Sequence, residues 1–151
     1  MSTLCIATNY DFTNNRPITK SILAWWALNY ENQNLPSLET TFEIEHIYAK
    51  KRQDNEHSLS SDKQLESLGN KVLLEKRVNI RAAEYRFSDK IKYYQGQTKQ
   101  NEKTCIQELL DLSNDRTDFT ETDIINRHDR IIKEFIKFLK DNELLKESTS
   151  N

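Results

Sequence analysis

Apolar residues recur at helical spacing near both ends of the chain and alternate with polar ones between them. Ile18, Ile22, Trp25 and Trp26 mark one face of an amphipathic helix running to about Asn29. Pro17 suits its first turn, with Asn14 and Asn15 as caps, and residues 1–15 read as irregular. Over 40–48 the order Thr-Thr-Phe-Glu-Ile-Glu-His-Ile-Tyr alternates and is rich in β-formers, which predicts a strand. Residues 49–67 carry no period and read as a polar loop with a short helix near Lys63–Ser67. Gly69-Asn70 signals a turn and Lys71-Val72-Leu73-Leu74 a second strand, so the two strands pair as an antiparallel hairpin. One helix is predicted from Lys76 or Asn79 to Tyr94, with Gly96 as its C-cap residue, and another near Cys105–Leu112. Thr120 and Asp123 resemble a capping box. It opens a long last helix with Ile124, Ile125, His128, Ile131, Ile132, Phe135, Ile136 and Leu139 in its apolar pattern.

This order predicts an α+β fold, mostly helical, around a central hairpin–helix module. Its parts are an N-terminal helical segment over 1–39, a core over 40–95 and C-terminal helices over 96–151. The length of 151 residues suits one domain, and no internal repeat is visible. Only two Gly and two Pro are present, which favours helices over many tight turns. Cys5 and Cys105 form no CxxC pair. A disulfide framework or a Cys-based zinc site is therefore not expected, and a reducing cytoplasm is the expected compartment. No apolar run is long enough to span a membrane and no signal peptide opens the chain. The polar start and the tail Glu147-Ser148-Thr149-Ser150-Asn151 have the texture of one domain of a longer protein, so an upstream domain or subunit is an expected partner.

The net charge of −2 is not that of a general nucleic-acid binder, so distribution matters more than the total. Lys71, Lys76, Arg77, Arg81, Arg86, Lys90 and Lys92 outnumber Glu75, Glu84 and Asp89 over the second strand and the following helix. Such a stretch is either a solvated helix face or a phosphate-contacting one. It lies beside the segment that holds the candidate chemistry, which favours phosphates, with Arg77, Arg81, Arg86 and Lys90 as the contacts.

That segment is Glu45–Lys90. A carboxylate and a histidine sit together at a strand end, Asn70 opens the second strand, and Asn79, nine residues on, lies at a helix start. Phosphodiester hydrolysis needs an activated water, a cation on the phosphate and help for the leaving oxygen. Histidine suits the first because its pKa is near neutral. A carboxylate with an amide oxygen suits the second, because hard cations take oxygen ligands and Mg²⁺ keeps several waters. Taken singly, Glu45-His46 is an ordinary surface pair, Asn70 a turn residue beside Gly69 and Asn79 a helix cap.

Together, Glu45-His46, Asn70-Lys71-Val72-Leu73 and Asn79 resemble the ββα-metal, or HNH, nuclease motif. The wider pattern adds Ile47, Leu68-Gly69, Phe87, Lys90, Tyr94 and the late Ile124-x-x-Arg127. It resembles the HNH domain at the C-terminal end of GmrSD-type, modification-dependent restriction enzymes. That resemblance implies a metal-dependent endonuclease acting on DNA rather than RNA, in restriction or antiphage defence. It implies His46 as general base, Glu45 and Asn79 as ligands of a divalent metal (Mg²⁺, with Mn²⁺ as substitute), and Asn70 as the brace that orients His46. The family usually has Asp before the His and Pro two residues after it, where this chain has Glu45 and Tyr48-Ala49. A competing reading is an HNH-fold binding module without catalysis. A third, an all-helical interaction domain, requires that 41–48 and 71–75 not pair.

Other residues have plainer readings. Glu43 shares a strand face with Glu45 and reads first as a solvated carboxylate, second as a further metal contact. His57 reads as a solvated loop residue, His128 as a core or interface histidine, and Trp25 and Trp26 as core or domain-contact residues.

Overall fold

The run Val72-Leu73-Leu74 is apolar without alternation, as befits a strand covered on both faces. A computed structural model describes residues 16–82 and 86–145, the side chains of 80–82 excepted. In it β2 (Lys71–Glu75) is buried along nearly its whole length and pairs antiparallel with β1 (Phe42–His46). The register sets Phe42 against Glu75, Ile44 against Leu73 and His46 against Lys71. The all-helical reading is overturned by this hairpin. The strand predicted over 40–48 is shorter, because Ile47, Tyr48 and Ala49 turn inward, each at most 3% exposed.

Helices cover both faces of the hairpin. They are α1 (Arg16–Leu28), α2 (Lys50–Glu56), α3 (Asp62–Leu65), α4 (Lys76–Ala82), α5 (Phe87–Tyr94), α6 (Gln107–Asp115) and α7 (Glu121–Asp141). Alternate residues of β2 feed two cores. Val72 and Leu74 join Tyr48, Val78, Phe87, Tyr94, Leu109 and Phe119 on one side. Leu73 joins Leu23, Trp26, Leu68, Ile131 and Ile132 on the other. The result is an α+β fold, mostly helical, around a small two-stranded sheet.

Three elements depart from expectation. The stretch read as a loop over 49–67 contains α2, whose one buried residue is Gln53. No apolar stripe marks such a helix, so periodicity cannot find it. It stops at His57, which adopts φ 48° and returns its backbone N–H to the Gln53 carbonyl. The single helix predicted to Tyr94 is two, α4 and α5. Arg86 is extended, at φ −61° and ψ 157°, just before Phe87 enters the core at 1% exposure. On α1 the buried face is Thr19, Ile22, Leu23, Trp26 and Ala27, and Ile18 faces out.

α7 is the longest element and begins as predicted, with the Thr120 backbone N–H donating to Asp123 Oδ2 at 2.8 Å. Its buried line is Ile124, Arg127, Ile131, Ile132 and Ile136. This helix passes directly over the 3-10 turn Leu68–Asn70. A Cβ on Gly69 would stand 2.0 Å from the Ile124 carbonyl oxygen, so only glycine permits the approach. The predicted caps Asn14 and Asn15, and Tyr85 of the predicted helix, lie outside the described residues. Among the described residues no helix is long and apolar enough to cross a membrane.

Candidate active site

The turn before β2 is held from inside. Asn70 is fully buried. Its Nδ2 donates to the carbonyls of Leu65 (2.8 Å) and Tyr48 (3.0 Å), and its Oδ1 accepts from the Tyr48 N–H (2.7 Å). The Asn70 carbonyl accepts from the Ile47 N–H at 2.9 Å, the residue after His46. One amide thus ties the chain leaving β1 to the chain entering β2 and fixes the end of the strand.

Arg127 clasps the same turn from α7. Its Nη1 donates to the carbonyls of Gly69 (3.0 Å), Lys71 (2.7 Å) and, more weakly, Leu68 (3.3 Å). Its Nε donates to Glu108 Oε1 at 2.6 Å, while Trp26 Nε1 donates to Glu108 Oε2 at 2.7 Å. Arg127 and Glu108 are both nearly sealed from solvent, which suits a pair whose hydrogen bonds are fully matched.

His46 closes β1 opposite Lys71, and its side chain keeps 29% exposure. Its Nε2 lies 3.2 Å from Glu66 Oε1, and the other oxygen of Glu66 is 2.9 Å from Lys71 Nζ. Burial pushes the His46 imidazole below its ordinary pKa. The Lys71 and Lys90 charges act in the same direction and Glu66 opposes them. Burial alone would raise the Glu66 carboxyl, but the Lys71 hydrogen bond and the charges of His46 and Lys71 outweigh it, so it sits below the usual range.

Glu45 points to the opposite face of the strand and is 8% exposed. Its carboxylate is paired with Lys90 Nζ, which also donates to the His46 carbonyl at 2.6 Å. Burial raises the Glu45 pKa, and the Lys90 charge and hydrogen bond only partly offset that. Lys90 was expected at a DNA phosphate. At 1% exposure, with both partners inside the fold, its ammonium is not offered to one. Asn79, on α4, donates from Nδ2 to Glu43 Oε2 at 3.0 Å. It therefore reaches the strand face that Glu43 and Glu45 share.

Of the remaining basic residues, Arg77 is 84% exposed with Glu102 at 3.9 Å, and Arg86 is 63% exposed and paired with Glu56 at 2.5 Å. The Arg81 side chain lies outside what is described. Among the described residues no group of three or more His, Cys, Asp and Glu side chains is suited to a metal. The donors at hand are two strand carboxylates and the amide of Asn79. Carboxylate and amide oxygens are the donor types that a hard, water-rich divalent ion takes, but here Glu45 is engaged by Lys90 and Asn79 by Glu43. Sequence reasoning missed Glu66, and it did not foresee that Asn79 meets Glu43. Neither contact lies within one element or at a motif spacing, so no local signal marks them.

A family described as GmrSD restriction endonucleases, C-terminal domain, matches residues 4–134 of the chain. No curated protein and no solved structure matches it.

Proposed function

Because the chain belongs to the family of GmrSD restriction endonuclease C-terminal domains, we propose that it is a metal-dependent nuclease hydrolysing DNA phosphodiester bonds in restriction or antiphage defence. The observation that carries this reading is His46, part-exposed at a strand end, with one ring nitrogen engaged by a carboxylate and its pKa held down. Such an imidazole is neutral at physiological pH and free to take a proton from water.

Asn70 keeps the strand end rigid beneath it. Glu45 and Asn79 are the residues that would hold Mg²⁺ or Mn²⁺, and the ion would polarise the phosphoryl group and offset charge on the leaving oxygen. Arg77, Arg81 and Arg86 would meet the DNA backbone. Lys90 acts within the fold instead, as counter-ion to Glu45 and donor to the His46 carbonyl. An upstream domain or subunit would supply target recognition, since phosphate contacts carry no sequence information.

Plasmid nicking by the whole chain tests this. Nicking is expected with Mg²⁺ or Mn²⁺ and not with chelator. His46→Ala should lower it by roughly 10²–10⁴-fold, the usual loss for a general base, with the far-UV spectrum unchanged. Unchanged cutting by that variant would remove His46 from the mechanism. The second reading, a binding module that has lost catalysis, draws on the Glu45–Lys90 pair, which already neutralises the proposed ligand. It expects DNA retention with no nicking in either metal.

A further inference from the structure

Glu66 caps the C-terminal end of α3, twenty residues from His46 along the chain. It bridges two groups that the hairpin register places opposite each other, His46 on β1 and Lys71 on β2. One carboxylate oxygen faces His46 Nε2 at 3.2 Å and the other faces Lys71 Nζ at 2.9 Å. Lys71 is 5% exposed, so its ammonium needs the anion. The lysine thus holds Glu66 ionised and in place, and an ionised carboxylate can only accept hydrogen bonds. A neutral imidazole carries one N–H and one bare nitrogen, so the nitrogen facing Glu66 must be the N–H.

We infer that Glu66 is a positioning residue for His46: it accepts the Nε2–H hydrogen bond and leaves Nδ1 as the nitrogen that deprotonates water. The inference rests on the nuclease reading for its second half. In that step the water O–H bond breaks and its proton joins Nδ1. The freed electron pair on oxygen forms the new bond to phosphorus as the bond to the leaving oxygen breaks, and that oxygen is protonated by solvent. A Glu66 that served only to neutralise Lys71 would leave the tautomer of His46 unset.

Two-bond ¹H–¹⁵N correlation of the imidazole in the histidine-labelled whole chain, recorded above the ring's titration range, reads the tautomer directly. His46→Gln assigns the signal by its loss. The Nε2–H form is expected in the unmodified chain, and this measurement needs no variant to fold. Glu66→Gln offers both a donor and an acceptor, so a mixture of tautomers is expected. Its kcat should fall roughly 10–100-fold, as when the group orienting a functional histidine is lost, with KM little changed and partial recovery in Glu66→Asp. An Nδ1–H tautomer in the unmodified chain, or a Glu66→Gln chain with unchanged tautomer and kcat, overturns the inference. A chain that cuts no DNA yet shows the Nε2–H tautomer sinks the nuclease reading and supports the hold of Glu66 on the ring.

Discussion

Lys90 is 1% exposed, and a buried ammonium is costly without an anion beside it; Glu45 is that anion. Removing the ammonium leaves a buried carboxylate whose pKa burial already raises. Lys90→Met is therefore expected to cost about 3–5 kcal/mol at neutral pH, measured by urea unfolding. In a Glu45→Gln background the same change should cost much less. Equal losses in both backgrounds would mean that the pair is not the source. At this scale the sequence is legible where the fold is local. His46 and Asn70 stand out because the hairpin turns a fixed spacing into neighbourhood, with the Asn70 carbonyl on the Ile47 N–H. Lys90 and Glu66 are opaque for the converse reason. A cation on a basic helix reads as a surface group until something shows which way it turns, and Glu66 sits in a stretch with no period at all.

The element that periodicity passes over, α2, is fastened by polar contacts rather than by an apolar face. Arg52 donates to Glu56 (3.0 Å) within the helix and to both oxygens of Asp118 (2.6 and 3.2 Å), on the loop ahead of α7. Its guanidinium also lies 4.6 Å from the centre of the Tyr48 ring. The Arg52 hydrogen bond is the main reason the Asp118 carboxyl sits below its usual pKa. A carboxyl with a depressed folded pKa stabilises the fold above its unfolded pKa, and the contribution fades as pH falls through the folded value. Asp118→Asn should thus lower stability at neutral pH and leave it unaltered in strong acid, where both chains carry a neutral side chain. Asp118 is about half exposed, so the difference should stay below about 1 kcal/mol. A difference that persisted into acid would assign the effect to something other than charge. Helices with an apolar stripe, α1 and α7, were placed by sequence to within a few residues. The break between α4 and α5 was not, because Phe87 packs on Phe119, far along the chain, as well as on Tyr94 of its own helix, and no local pattern marks the distant contact.

Over the whole molecule the hairpin–helix module is not free-standing. Its two cores draw on Leu23 and Trp26 from α1, Leu109 from α6, and Ile124, Ile131 and Ile132 from α7. Arg127 adds a polar tie, reaching the turn that carries Asn70 while Glu108 and Trp26 complete the chain of bonds behind it. Arg127→Met would strand Glu108 without its cation and withdraw a donor from the carbonyls of Leu68, Gly69 and Lys71. A loss of about 3–5 kcal/mol is expected by urea unfolding, a large part of what a domain usually has. A loss well under that range would show that the turn stands without its clasp. The tie also bears on genetics. Suppose survival of a host cell is selected against a toxic nuclease, and the escaping mutants are sequenced. On the proposed nuclease reading, substitutions at Arg127, which is 4% exposed, would then accumulate alongside those at His46. The two groups of mutants would part only when their protein levels were compared, since the first loses the protein and the second keeps it.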